Sequence, residues 1–124
     1  MRRARRVTLM ALAAAAVAPA SAWALSCSPP PPPEQSAETV DAVFQGVALE
    51  RAVAGVQRFR VRQVHKGDVP RVVRVHVGTG PWAPEHAVGE THALALERRD
   101  GRLHDGPCSK AQGGADAIVE VLER

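Results

Sequence analysis

Two cysteines, Cys27 and Cys108, and five histidines, His65, His76, His86, His92 and His104, are the residues of this chain best equipped for chemistry. The first residues read as an export signal, and an even cysteine count in an oxidising compartment favours a disulfide over metal ligation or a free nucleophile. The bridge would close a loop of roughly 80 residues. In a chain-entropy description that is worth about 4–5 kcal/mol as an upper figure. It would tie the N-terminal segment to the stretch just before the last helix. A catalytic cysteine is the alternative, but neither Cys27 nor Cys108 has a histidine beside it in sequence as an obvious base. Cys27 has a third option. Ala24-Leu25-Ser26-Cys27 fits in part a lipobox, in which the cysteine becomes a lipidated N-terminus anchored to a membrane. The fit is poor, because leucine sits at −2 instead of −3, and lipidation would leave Cys108 unpaired.

The histidines show no i, i+4 pair and no HExxH arrangement, so solvated surface positions are expected and no metal or other cofactor. His76 and His92 alternate outward on expected strands, and His86 lies in a loop beside Glu85. Glu85 with His86, and Glu90 with His92, could form an acid–base pair, although that spacing carries no signature. The chain also has neither a glycine-rich phosphate motif nor a nucleophile elbow. These features argue against an enzyme.

The chain begins Met1-Arg2-Arg3-Ala4-Arg5-Arg6, followed by an apolar run from Val7 to Ala18. A basic start, a short apolar stretch and small residues after it make a secretory signal peptide. The run is too short for a transmembrane helix, which needs about 20 apolar residues. Cleavage after Ala22 or Ala24 satisfies the small-x-small rule. The second site is favoured, making 1–24 the signal and Leu25 the mature N-terminus, in a secreted or periplasmic protein. Arg5-Arg6 fits a twin-arginine signal poorly, because Thr8 stands where a large apolar residue is usual. The signal holds four arginines and no acid, so the remainder has twelve basic against thirteen acidic side chains, a net charge of −1. The sequence pI of about 9.5 therefore gives no reason to expect nucleic acid or an anionic membrane as partner. No other stretch is apolar enough to span a membrane.

The elements that must position these residues follow from patterning. Residues 25–38 form an N-terminal segment. In it, Pro29 to Pro33 must be polyproline II, read as a stiff lead-in and not a ligand for a proline-binding groove, and Glu34 to Glu38 makes a helical turn. Val40 to Leu49 is a strand buried on much of both faces, with Gly46 as a bulge or bend. Arg58 to Arg62 alternates, with Phe59 and Val61 inward, and Val64 breaks that phase as a bulge would. Lys66 to Pro70 is a turn. Arg71 to Val77 alternates again, with Val73, Val75 and Val77 inward. Gly78 to Pro84 is a loop, and Thr91 to Glu97 a strand with Leu94 and Leu96 on its apolar face. Asp100-Gly101 turns into a short last strand, Arg102 to His104. Ala115, Ile118, Val119 and Leu122 fall on one helical face. Strands in meander order with helical segments at both ends predict a mainly β fold over 39–124: a five-stranded OB-like barrel, a short N-terminal helical turn and a C-terminal amphipathic helix. Arg58, Arg60, Arg62 and Arg74 would then form a basic stripe on two neighbouring strands. OB barrels use such a face for nucleic acid. Export and the scarcity of aromatics beyond the signal (Phe44, Phe59 and Trp82) favour an anionic polysaccharide or acidic protein instead.

An ordered set of short pieces carries a more specific resemblance. Cys27 with its prolines comes first, then Ala42-Val43-Phe44-Gln45-Gly46, then Phe59-Arg60-Val61 leading to Val64-His65-Lys66-Gly67-Asp68. Val88-Gly89-Glu90 and Gly106-Pro107-Cys108-Ser109 follow. In this order they resemble the bacterial relatives of the tissue inhibitors of metalloproteinases, the netrin-module group, over nearly the whole chain after the signal. The resemblance implies a five-stranded OB barrel with flanking helices and an N-terminal segment held to it by disulfides. That family typically begins Cys-x-Cys, where this chain reads Leu25-Ser26-Cys27. The first cysteine's usual partner falls in the loop from Gly78 to Ala87, which has no cysteine. Both halves of one bridge are absent together, and the other bridge implies the pair Cys27–Cys108. In the animal inhibitors the first cysteine's amine and carbonyl chelate the protease zinc, and here Leu25 stands in its place.

The expected function is thus a non-enzymatic, exported binding module for an extracytoplasmic protein, with Leu25, Ser26 and Trp82 as contact residues. It needs no nucleic acid, and no membrane once the signal is cut. The alternatives are a metalloprotease inhibitor acting through the mature N-terminal ridge and a lipid-anchored envelope protein.

Overall fold

A computed structural model of the chain describes residues 26–124; the signal segment, its cleavage sites and Leu25 lie outside the described residues. The elements run α1 (Pro33–Thr39), β1 (Ala42–Ala48), β2 (Val56–Lys66), β3 (Val72–His76), β4 (Thr91–Arg99), β5 (Arg102–His104) and α2 (Gly114–Leu122). The strands close into a barrel in the order β1-β2-β3-β5-β4, with β4 returning to β1. This is the mainly β, five-stranded barrel flanked by two short helices that the patterning predicts.

The expected meander order holds only as far as β3. β4 does not pair with β3; it crosses to β1 and pairs antiparallel over six positions, from Ala42↔Leu96 to Val47↔Thr91. The tight Asp100-Gly101 turn, with both residues at positive φ, folds β5 back between β4 and β3. There it runs parallel to β3, giving the Greek-key arrangement of an OB barrel. β5 thereby closes the barrel between β3 and β4, so that neither strand is left without a neighbour on that side.

β2 is longer than its alternating stretch suggests, eleven residues against seven in β1. Two residues of the excess are absorbed by register shifts, where Phe44 pairs with Val64 and Gly46 with Val61, and the start of β2 runs past β1 to pair with β3 alone. Arg62 and His65 are the extra residues, so the phase break read at Val64 is two bulges on either side of it. Such bulges tighten the local twist and let a long strand curl around a small barrel. Gly46 sits at one shift, where a Cβ would come within 3.0 Å of the Arg60 carbonyl oxygen and 3.1 Å of the Phe44 ring. Gly67, at φ +84°, is required more strictly, because a Cβ there would overlap the Asp41 carbonyl oxygen.

Two apolar clusters follow from β1 being buried on both faces. Inside the barrel, Ala42, Phe44 and Ala48 meet Phe59, Val73, Val75, Val77, Leu94, Leu96 and Leu103. Outside it, Val43 and Ala95 are covered by Ala37 and Val40 at α1 and by Ile118 and Val119 of α2. Pro33 opens α1, its fixed φ suited to a first helical position. The Lys66 ammonium donates to the carbonyls of Ala37 (2.8 Å) and Glu38 (3.1 Å), capping that helix's last turn from the end of β2.

Candidate functional site

The N-terminal segment is fastened to the barrel at several points. Cys27 and Cys108 form a disulfide with Cα atoms 5.6 Å apart, the bridge expected from the cysteine count and from the resemblance. While it stands, the Cys27 sulfur is not free for thioether lipidation. The polyproline carbonyls, which have no N–H neighbours of their own, accept from Gln112: its backbone N–H reaches Pro31 (2.9 Å) and its Nε2 reaches Pro30 (3.3 Å). The buried Ser36 hydroxyl donates to the Lys110 carbonyl. Ser26 is exposed beside this anchor.

The long connection from β3 to β4 crosses one end of the barrel and carries Trp82, whose surface is 55% exposed. Both ends of the loop are pinned. The N–H groups of Val77 (2.9 Å) and Gly78 (3.2 Å) donate to the Gly55 carbonyl. At the far end, the fully buried Gln57 side chain donates to the carbonyls of Glu50 (3.0 Å) and His86 (2.8 Å) and accepts from the His86 N–H (3.1 Å). A buried amide with three partners fixes a loop more firmly than its sequence suggests. Gln57 shares the inward parity of Phe59 and Val61, and that was the one available sign of a buried polar side chain before β2's alternating run.

The histidines depart from the surface positions expected of them. His86 pairs with Asp105 (Nε2–Oδ2 3.0 Å), not with Glu85, and its ring packs edge-on to Phe59 and against His92. Glu85 instead meets Arg51 at 3.2 Å, and His92 meets the Ala87 carbonyl at 2.9 Å, not Glu90. The His65 ring is 4% exposed, held by Gln45 (3.1 Å) and 3.8 Å from Glu123 of the C-terminal end. These rings fasten loops and helix to the barrel. Among the described residues, no group of three or more His, Cys, Asp or Glu side chains could hold a metal ion.

A groove of about 340 Å³ links the two segments, running from His86 and Asp105 to Pro107, Cys108 and Lys110. It joins the base of the Trp82 loop to the anchor of the N-terminal segment. Ser26 and Trp82 thus belong to segments fixed at opposite ends of one depression.

The basic stripe is only partly free. Arg58 lies opposite Arg74 across β2 and β3, but its guanidinium grips Glu50 through two hydrogen bonds, of 2.6 and 3.0 Å. The bond from Arg58 holds the Glu50 carboxyl below the usual carboxylate range. Arg60, Arg62 and Arg74 remain exposed. Compared with known proteins, the chain matches no protein-family model and no curated sequence at a significant level.

Proposed function

We propose that this chain is an exported, non-enzymatic binding module, similar to the inhibitor-type netrin modules, whose partner is an extracytoplasmic protein. The disulfide is a bond of oxidising, extracytoplasmic environments. Among the described residues, no helix is long and apolar enough to cross a membrane. The observation that carries the reading is the exposed Trp82 on a loop pinned at both ends, joined by a groove to the disulfide-held N-terminal segment. An exposed indole on a loop held at both ends is the sort of anchor on which interface energy concentrates.

The purified domain, immobilised with its disulfide intact, is expected to retain a discrete extracytoplasmic protein saturably. Trp82→Ala should weaken that retention by about thirtyfold or more, the effect of losing a hot-spot side chain. Absence of any saturable partner, or equal retention by Trp82→Ala, overturns the reading.

The anchoring of Ser26 and Cys27 to Cys108 supports a second reading, metalloprotease inhibition through the N-terminal ridge. Adding one residue before Leu25 should then abolish inhibition, because the terminal amine would no longer reach a protease's zinc. An unchanged inhibition constant contradicts it.

A further inference from the structure

The barrel is not sealed equally along all its seams. β3 pairs with β2 over five positions but with β5 over only two, Val75↔Leu103 and His76↔His104. Beyond those two, the first half of β3 and the β4–β5 hairpin diverge around a groove of about 470 Å³. Its apolar lining is Pro70, Val73 and Leu103, the last two being core residues reached from outside. Its cationic lining comes from three strands: Arg74 of β3, Arg98 of β4 and Arg102 of β5.

All three arginines are exposed, and among the described residues none lies within salt-bridge distance of a carboxylate. Arg98 reaches the Asp68 carbonyl instead, at 3.2 Å. At the paired end of the seam the rings of His76 and His104 lie 5.1 Å apart. Partial burial holds the His76 imidazole below its ordinary pKa, and His104, Arg102 and Arg74 push it the same way. The local field is therefore predominantly positive, offset at Arg74 by the nearby Glu50 carboxylate.

Backbone geometry adds a second feature. The Val61 N–H donates to the Arg71 carbonyl, and antiparallel pairing alternates. Arg71, Val73 and Val75 thus turn their backbone groups to β2, while Val72 and Arg74 turn theirs to the seam. Because Val75 faces β2, its parallel pairing with Leu103 is bonded through its neighbours, the Arg74 carbonyl and His76. This leaves both backbone groups of Val72 and the Arg74 N–H as the unpaired edge above the groove, with the Val72 side chain 47% exposed. An open strand edge is a template for an added strand.

We propose that this seam binds an extended acidic peptide segment of a partner protein, which adds as a strand along Val72–Arg74 and places carboxylates on Arg74, Arg98 and Arg102. A peptide fits better than an anionic glycan because only a peptide offers alternating amide donors and acceptors to the open edge. The site lies between β3 and the β4–β5 hairpin, apart from the Trp82 loop and the N-terminal segment, and stands independently of the function proposed for them.

The test uses the disulfide-intact domain and a capped hexapeptide alternating glutamate and valine, followed by NMR. Saturable binding is expected, with shifts at the Val72 and Arg74 amides and a rise of the His76 pKa as carboxylates offset the neighbouring cations. Arg74→Glu/Arg102→Glu should weaken binding by about tenfold or more, while Arg124→Glu, at the exposed C-terminal end and paired with Glu34, should change it less than about twofold. Both substituted arginines are exposed, and the melting temperature checks that the double variant folds. On the unaltered domain, the same hexapeptide with alternate amides N-methylated should lose binding, because strand addition needs those donors. Equal binding of the N-methylated peptide overturns the proposal, as does saturation by a sulfated oligosaccharide with no response to the peptide, or no saturable binding.

Discussion

Reducing the Cys27–Cys108 bridge, or replacing it in Cys27→Ser/Cys108→Ser, is expected to lower the unfolding free energy by about 2–4 kcal/mol. The two cysteines are 81 residues apart, and constraint of so long a loop in the unfolded chain gives about 4.5 kcal/mol as a ceiling. A domain of this size has a total stability on the order of 5–15 kcal/mol, so the bridge supplies a large share of it. The melting temperature should fall by more than about 10 °C. The loss should be one of stability and not of fold, because Gln112 still holds Pro30 and Pro31 and Lys66 still caps α1. Thermal melts with and without reductant check this. A shift below about 1 kcal/mol contradicts the bridge's role as a staple.

Phe59→Ala is expected to cost about 3–5 kcal/mol. The Phe59 ring is fully buried and meets Phe44 edge-on at 6.2 Å, an arrangement favourable beyond the area it buries. Its other neighbour is the His86 ring at 5.4 Å. Truncation therefore leaves a void in the barrel interior and also removes the support beneath the end of the Trp82 loop. Phe44→Ala should cost a similar amount by chemical denaturation. Only Phe59→Ala should shift the Trp82 emission in the folded state, because Phe44 is not in ring contact with His86. A cost within about 1 kcal/mol of the unaltered chain contradicts the placement of Phe59 at the centre of the core.

Much of this fold is written in local pattern. Val73, Val75 and Val77 alternate inward as read, Leu94 and Leu96 do the same, and Ile118 and Val119 fall on the buried face of α2. The unpatterned stretch from Val40 to Leu49 was legible as buried on both faces, and the two apolar clusters on either side of β1 are the reason. Strand order was not legible beyond β3, because alternation specifies a face and not a neighbour. The long connection after His76 gives no sign that β4 crosses to β1. Gly46 in β1 and Val64, an apolar residue at outward parity in β2, both signal a bulge, but nothing in the pattern marks Arg62 and His65 as the extra residues. Of the expected contact residues, Trp82 is exposed and Ser26 sits beside the bridge, while Leu25 lies outside the described residues. The histidine pairings were not legible, since His86 and Asp105 are 19 residues apart and meet only through the barrel's closure. The role of Gln57 is hidden for a similar reason, its three partner groups lying in two loops far apart in the sequence.

The proposed function requires that this chain work outside the cytoplasm as a processed domain with a single bridge. Intact mass of the protein recovered from the periplasm or medium, alkylated with and without prior reduction, tests it most directly. The predicted result is a chain beginning at Leu25 that takes up two alkyl groups after reduction and none before. A mass that retains Met1, a diacylglycerol adduct on Cys27, or alkylation without reductant would contradict it.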